Sequence, residues 1–210
     1  MGVYKNVIKR ILDVVVSGLL LVILLPLLLF ISLLIKIKLG SPVIFSQDRP
    51  GQNEKNFKMY KFRTMTNERD SLGQLLPDAK RLTGFGKKLR RTSLDELPEL
   101  WNIFIGNMSF VGPRPLLIRY LPYYTIKEKQ RHNVKPGLTG LSQVNGRNNL
   151  EWNRRLALDS FYANNVTFLL DLKIILKTFI KVFKKSDIAD GDELEIRSLD
   201  IERNNENRLS

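Results

Sequence analysis

From Val14 to Ile35 the chain runs for 22 residues without a charged side chain. An unbroken helix of that length would reach about 33 Å, enough for a bilayer core of about 30 Å. Two features argue against a simple span. Lys5, Lys9 and Arg10 precede the run, and Lys36 and Lys38 follow it. Both flanks therefore favour the cytoplasmic face. Pro26 lies near the middle, where it removes a backbone donor and can bend the helix. The halves Val14–Leu25 and Leu27–Ile35 would be about 18 and about 14 Å long, each near half a bilayer. The pattern predicts a re-entrant hairpin that enters one leaflet, turns at Pro26 and leaves on the same side. A plain membrane anchor is the competing reading. A signal peptide fits less well, because the run is long and no small-residue cleavage site follows it.

Charge narrows the partners. The net charge is +13, but it is unevenly spread. Residues 187–210 hold eight acids and three arginines, net −5, so residues 1–186 carry +18. A basic body suits nucleic acid, anionic headgroups or a phosphorylated substrate. The acidic tail is expected to be disordered. With no cysteine, disulfides, thiolate metal sites and thiol nucleophiles are excluded. His132 is the single histidine, so a histidine metal cluster is excluded too, and a structural role is expected for it.

The segments between these ends read as a small mixed domain. Val43–Gln47 and Phe57–Thr64 suit two short strands, with a type II turn through Asp48-Arg49-Pro50-Gly51. Lys58, Lys61 and Arg63 on the second strand could meet an anion or form a solvated face. Residues 65–84 suggest a short helix and a loop. Leu116–Tyr124 suits a helix lying at a membrane surface, where tyrosines are favoured. Pro136-Gly137, Thr139-Gly140 and Gln143 to Arg147 make a turn-rich loop that could hold a phosphate or a base, or be only a pair of turns. Helices are expected over Asn149–Asn164 and Val166–Lys185. In the second, Lys173, Lys177, Lys181 and Lys184 form a row beside Phe168, Leu172, Leu176 and Phe179. That face suits a headgroup zone or an ordinary core.

The densest chemistry lies between Arg90 and Pro115. Asp95 and Glu96 follow Arg90 and Arg91, and Gly112-Pro113-Arg114-Pro115 closes the stretch. A carboxylate that meets a phosphate ester needs cations nearby, and arginine forks or a divalent metal supply them. The plain structural reading is a capping box, with Ser93 as N-cap and Glu96 as the N3 residue of a helix to about Phe104. Pro98 opposes it, since a proline at the fifth helical position has no N–H, so the helix starts later or bends.

Four stretches in order, FSQDRPGQNEKNFKMYKFRTM, SLDELPELWNIFIGNMSFVGPRP, RHNVKPGLTGLSQVNGRN and NVTFLLDLKIILKT, carry a resemblance. Over residues 5–186 the chain resembles the bacterial sugar transferases, the small monotopic phosphoglycosyl transferases of the PglC type. The resemblance implies an α-rich α/β fold. Residues 1–40 would form the re-entrant membrane helix, residues 41–186 a cytosolic catalytic domain with a β-hairpin and membrane-surface amphipathic helices, and residues 187–210 the tail. It implies transfer of a phosphosugar from a UDP-sugar to polyprenyl (undecaprenyl) phosphate at the cytoplasmic face of the bacterial inner membrane, with release of UMP. Asp95 would be the nucleophile that forms a phosphosugar-aspartyl intermediate. Asp95 and Glu96 are the candidate magnesium ligands, and Glu96 could instead assist proton transfer. Arg90, Arg114 and Arg147 are the candidates for the phosphates, with Lys61, Gln143 and Pro113 beside them. An N-acetylated, amino or deoxy sugar is the expected donor. Membrane lipids and downstream glycosyltransferases are the expected partners, and nucleic acid is not. One departure concerns Pro26, which follows Leu25 where the family often has serine. Two other classes stay open: a membrane-anchored basic binding protein, and a direct glycosyltransferase that releases UDP.

Overall fold

The computed structural model describes residues 2–146, 150–184 and 198–209. After a π-helical turn over Tyr4–Ile8 come α1 (Lys9–Ile23) and α2 (Leu25–Leu39), then β1 (Ile44–Pro50) and β2 (Asn56–Phe62). Next are α3 (Asp78–Arg81), α4 (Gly84–Arg91), α5 (Glu99–Ile105), β3 (Ser109–Val111) and α6 (Ile126–Lys129). The order ends with β4 (Gly137–Thr139), α7 (Leu141–Val144), α8 (Trp152–Asn164), α9 (Phe168–Lys184) and α10 (Leu199–Leu209). The protein is rich in helix, with an antiparallel β1–β2 hairpin and a parallel β3–β4 pair.

The apolar run breaks at Leu24, two residues before Pro26, and α1 and α2 meet at a bend of 62°. No single helix among the described residues is long and apolar enough to cross a membrane, although the bent pair is when taken together. The two arms are tied differently. In α2, Ile31, Ile35 and Leu39 recur every four residues and bury against Phe62 and Leu89. In α1, Leu20, Leu21 and Leu24 pack over Met59, Leu100 and Ile103. Arg10 fastens α1 to the end of α5, donating to the carbonyls of Ile103 at 2.7 Å and Phe104 at 2.9 Å. Asp13 accepts from the Phe110 N–H at 3.1 Å, and Asp171 accepts from Tyr4, Lys9 and Tyr162. Polar contacts at the base of α1 thus fix the angle at which the apolar arms leave the domain.

Several expectations change. The hairpin exists, but Arg49 and Pro50 belong to β1, and the reversal runs through Gly51–Lys55 in place of Asp48–Gly51. The three strand cations diverge. Lys58 is exposed, Lys61 is drawn into an ion pair, and buried Arg63 donates to the Leu39, Pro42 and Met65 carbonyls. The Leu116–Tyr124 segment is not one continuous helix, and part of it packs inward. It contains a 3-10 helix, Ile118–Tyr123, whose Tyr120 ring packs edge-on against Trp152 at 5.4 Å, with Tyr124 and Leu199 in the same cluster. The expected disorder of the acidic tail does not hold for its described part, residues 198–209, while 187–197 and 210 lie outside the described residues. Leu199 of α10 is fully buried there, Asp200 pairs with Arg119, and Arg203 pairs with Glu128. Two tail charges that look like solubility from the sequence, Asp200 and Arg203, therefore anchor a helix.

α9 answers a question the sequence left open. Asp171 and Ile174 turn inward, while Phe168, Leu169, Leu172, Leu176, Phe179 and Ile180 stay exposed. The exposed apolar sides of α1 and α2, with Trp101, Phe104 and Phe161, add further uncovered surface. Exposure on this scale marks a surface meant to meet another apolar phase.

Candidate active site

α4 ends at Arg91, and the chain reverses through Ser93, whose φ of 54° puts it in the left-handed region. That is uncommon for a side chain other than glycine, asparagine or aspartate. Ser93 makes no side-chain cap, so the predicted capping box does not form. Leu94–Glu96 is a separate 3-10 turn and α5 begins at Glu99 with Pro98 as its N-cap, so the proline's missing N–H costs nothing there. A capping box does occur elsewhere, at Thr125 and Glu128.

The reversal brings Arg90, Asp95 and Glu96 to the wall of one cavity of 2110 Å³. Lys61 reaches it from β2. Its Nζ lies 2.7 Å from Glu96 Oε1 and 3.1 Å from Glu99 Oε1. Arg114 Nη2 approaches the same Glu96 oxygen at 2.9 Å. Arg114 owes its place to a backbone crossing behind it. Gly112 N–H donates to Thr139 O and Gly137 N–H to Pro113 O. A Cβ on Gly112 would stand 2.4 Å from the Lys135 carbonyl, so only glycine permits that approach. Pro113 is buried and acts through this carbonyl. Arg90 donates from Nε to Thr64 Oγ1 at 3.1 Å. Gln143 donates to the Leu138 carbonyl at 3.2 Å and also lines the cavity. Arg147 lies outside the described residues.

The adjacent acids are in opposite electrostatic states. Burial pushes the Asp95 carboxyl up, and the neighbouring Glu96 charge adds to it, against the pull of Lys61 and Arg90. No ion pair engages Asp95 among the described residues. Glu96 is also penalised by burial, but Arg114 and Lys61 outweigh that and hold it well below the usual carboxylate range. Glu99 is 3 % exposed, and its carboxyl is pushed up by burial, with Lys61 opposing and Glu96 adding. Glu99 was not among the expected residues. Its signal was available as a third acid, four positions after Asp95.

The arrangement is a desolvated, unpaired carboxylate beside a clamped one, ringed by cations. Such an arrangement can set a carboxylate and cations against a phosphate ester. The walls of the cavity change character along its length. Near Asp95 they are cationic, while Leu12, Val16, Leu20, Leu172, Ile175 and Phe179 line the part beside α1 and α9.

As to metals, no group of three or more histidine, aspartate or glutamate side chains among the described residues could hold one. The chain can offer Asp95 and the second oxygen of Glu96, whose first oxygen is taken by Lys61 and Arg114. One or two carboxylates plus substrate phosphates is how magnesium is usually held, so the residues fit such an ion and not an all-protein cage.

Comparison with known proteins gives a consistent result. The profile described as bacterial sugar transferase matches residues 4–185. A Bacillus subtilis protein named "uncharacterized sugar transferase EpsL" is 50% identical over 182 residues, 87% of this chain and 90% of that one. The UDP-glucose:undecaprenyl-phosphate glucose-1-phosphate transferase of Klebsiella pneumoniae is 42% identical over 187 residues, 84% of this chain. The undecaprenyl-phosphate galactose phosphotransferase of Salmonella typhimurium is 37% identical over 194 residues, again 84% of this chain. The match spans only 40% of the length of each of these two enzymes.

Proposed function

The chain belongs to the bacterial sugar transferases, and from that premise we propose that it moves a sugar 1-phosphate from a UDP-sugar to undecaprenyl phosphate and releases UMP. The observation that carries this reading is the cavity that joins an apolar wall to a cationic end holding one unpaired acid. The acceptor has the same division, a long hydrocarbon chain and a phosphate.

In the first step an Asp95 oxygen attacks the sugar-bearing phosphorus. The bond from that phosphorus to the bridging oxygen breaks, and UMP leaves with the electron pair. In the second, an oxygen of the acceptor phosphate attacks the same phosphorus, the Asp95–phosphorus bond breaks, and the carboxylate is restored. No net proton is consumed. Arg114 and Lys61 hold Glu96 ionised, and they remain able to turn toward phosphate oxygens as charge moves. Arg90 stands on the same wall as Asp95. Magnesium, bound by Asp95 or Glu96 with substrate oxygens, would neutralise diphosphate charge. Arg147 and Gln143 remain candidates for the donor.

We place the bent α1–α2 pair in one leaflet of the inner membrane, with the cavity at the cytoplasmic face and α9 in the headgroup zone. Support comes from the basic flanks on both sides of the run, the 62° bend and the exposed apolar faces. The product would enter glycoconjugate assembly, where downstream glycosyltransferases extend it.

The test is UMP release by the purified protein in detergent with magnesium and undecaprenyl phosphate. The donor panel should include UDP-glucose, UDP-galactose and N-acetylated amino and deoxy sugars. UMP from one donor, lost on chelation of magnesium, is expected. UDP in its place would make the protein a direct glycosyltransferase. Radiolabelled sugar retained on the protein without acceptor, and absent from Asp95→Asn, is the expected mark of the aspartyl intermediate.

A further inference from the structure

Arg49 lines the same cavity, and no step above uses it. It sits on β1, and its Nη2 donates to Gln47 Oε1 at 2.7 Å. Its Nε and Nη1 are buried without a hydrogen-bond partner. Leaving charged donors desolvated and unmade is costly, so such groups in a folded protein call for an explanation.

A structural role does not supply one. Arginines that serve the fold here spend their N–H groups on backbone carbonyls, as Arg10 and Arg63 do, or on a carboxylate, as Arg131 does with Asp159. Arg49 also has an unfavourable neighbour. Burial and then the charge of Arg114 pull its guanidinium below the ordinary value, and Glu99 and Tyr120 only partly offset them. Arg155, on the same cavity with its guanidinium 4.4 Å from the Trp152 ring centre, is likewise lowered by burial; Asp159 opposes this, and Arg114 and Arg131 add to it. Arg49 and Arg114 repel across this space, and an anion placed between them relieves that repulsion.

We infer that Arg49, beside Arg114, forms a further anion subsite of the cavity that takes phosphate oxygens on the unpartnered edge of its guanidinium. A turn of the side chain into the cavity would offer Nε and Nη1 as the fork that a phosphate accepts in two parallel hydrogen bonds. The assignment of that phosphate to a substrate rests on the proposed reaction, which brings two sources into the cavity. One is the diphosphate of the nucleotide-sugar, the other the monophosphate of the polyprenyl acceptor.

Two measurements on the full chain in detergent, with Arg49→Gln and Arg49→Lys, separate the questions. The first is thermal unfolding with rising inorganic pyrophosphate in the absence of magnesium. Pyrophosphate is expected to raise the midpoint of the wild-type protein, to do so weakly for Arg49→Lys, and to leave Arg49→Gln nearly unmoved. Equal stabilisation of wild type and Arg49→Gln overturns the subsite, as does no stabilisation of the wild type. Should Arg49→Gln fail to fold, Arg49→Lys decides, and a response equal to wild type overturns the inference. The second is steady-state UMP release. Loss of a charge-assisted pair is expected to raise one KM about ten- to a hundredfold. A shift in the UDP-sugar KM assigns the subsite to the donor, and a shift in the polyprenyl phosphate KM assigns it to the acceptor. A wild-type protein that binds pyrophosphate through Arg49 but releases no UMP would remove the reaction and keep the subsite.

Discussion

Two arginine–carboxylate pairs in this protein have nearly the same length and opposite characters. Arg131 and Asp159 meet at 2.8 Å with both side chains 1 % exposed. Arg114 and Glu96 meet at 2.9 Å, but Arg114 is 44 % exposed. Distance does not distinguish them, but the groups left over do. Around Asp159 nearly every valence is used. Its second oxygen accepts from Ser142 at 2.7 Å, and Arg131 goes on to the Arg114 carbonyl at 2.7 Å. Around Glu96 the arrangement is unfinished. Among the described residues Asp95 has no ion pair, Glu99 Oε1 meets only Lys61 at 3.1 Å, and Arg49 Nε and Nη1 have no hydrogen bond. A closed network fixes a fold, and one left open awaits a ligand. The closed pair also serves the open one, because Arg131 holds the backbone of Arg114 and Ser142 adjoins Gln143.

The contrast predicts that variants in the two networks fail in different ways. Asp95→Asn should lower UMP release at least about a thousandfold. Its urea midpoint should not fall, since the lost charge had burial against it. A drop in stability with activity retained would reverse the roles assigned to the two regions. Asp159→Ala should instead cost about 3–5 kcal/mol of stability, because Arg131 would keep a buried charge with no counter-ion. Chemical denaturation reads this directly, and a loss under about 1 kcal/mol would show that the hub relaxes.

Acid should act on the closed side through His132. Its Nδ1–H donates to the Gly51 carbonyl, and burial with Arg131 beside it lowers its pKa to about 4. The unfolded chain takes up that proton near pH 6.5, while the folded protein waits for about 4. Stability is therefore full above pH 6.5 and declines as pH falls toward 4, by up to about 3 kcal/mol. His132→Asn should flatten that slope, and an equally steep slope in the variant would assign it to other groups. The smallest effect belongs to Arg114→Lys. A lysine keeps the charge near Glu96 but loses the fork, so UMP release should fall about tenfold with little change in unfolding. A fall as large as that of Asp95→Asn would make Arg114 part of the reacting set.

The sequence disclosed the charge-bearing residues better than their geometry. Asp95, Glu96, Lys61, Arg90 and Arg114 are legible because charges crowd into short stretches around a proline-rich turn. What it could not disclose is which charges pair across long separations. Lys61 and Glu96 are 35 positions apart, and Arg131 and Asp159 are 28 apart. Local patterns also misled where tertiary contacts prevailed. Ser93 has the residue type of an N-cap, yet the chain must reverse there, and a left-handed backbone replaces the cap. The tail has the composition of a solvated segment, yet Leu199 is buried in the cluster of Tyr120, Tyr124, Trp152 and Leu156. Arg49 was hidden by its neighbours, because Pro50-Gly51 suggested a turn where the chain continues as strand.

On the proposed seating of the α1–α2 pair in one leaflet, its 62° bend has a mechanical consequence. A straight transmembrane rod must match the bilayer's thickness and pays for every ångström of mismatch by tilting or by thinning the lipid around it. A wedge seated in one leaflet has no opposite face to reach. It answers to the lateral pressure of that single monolayer and spreads its headgroups apart. Such a protein would tolerate bilayers of differing acyl length and respond to differences in area between the leaflets.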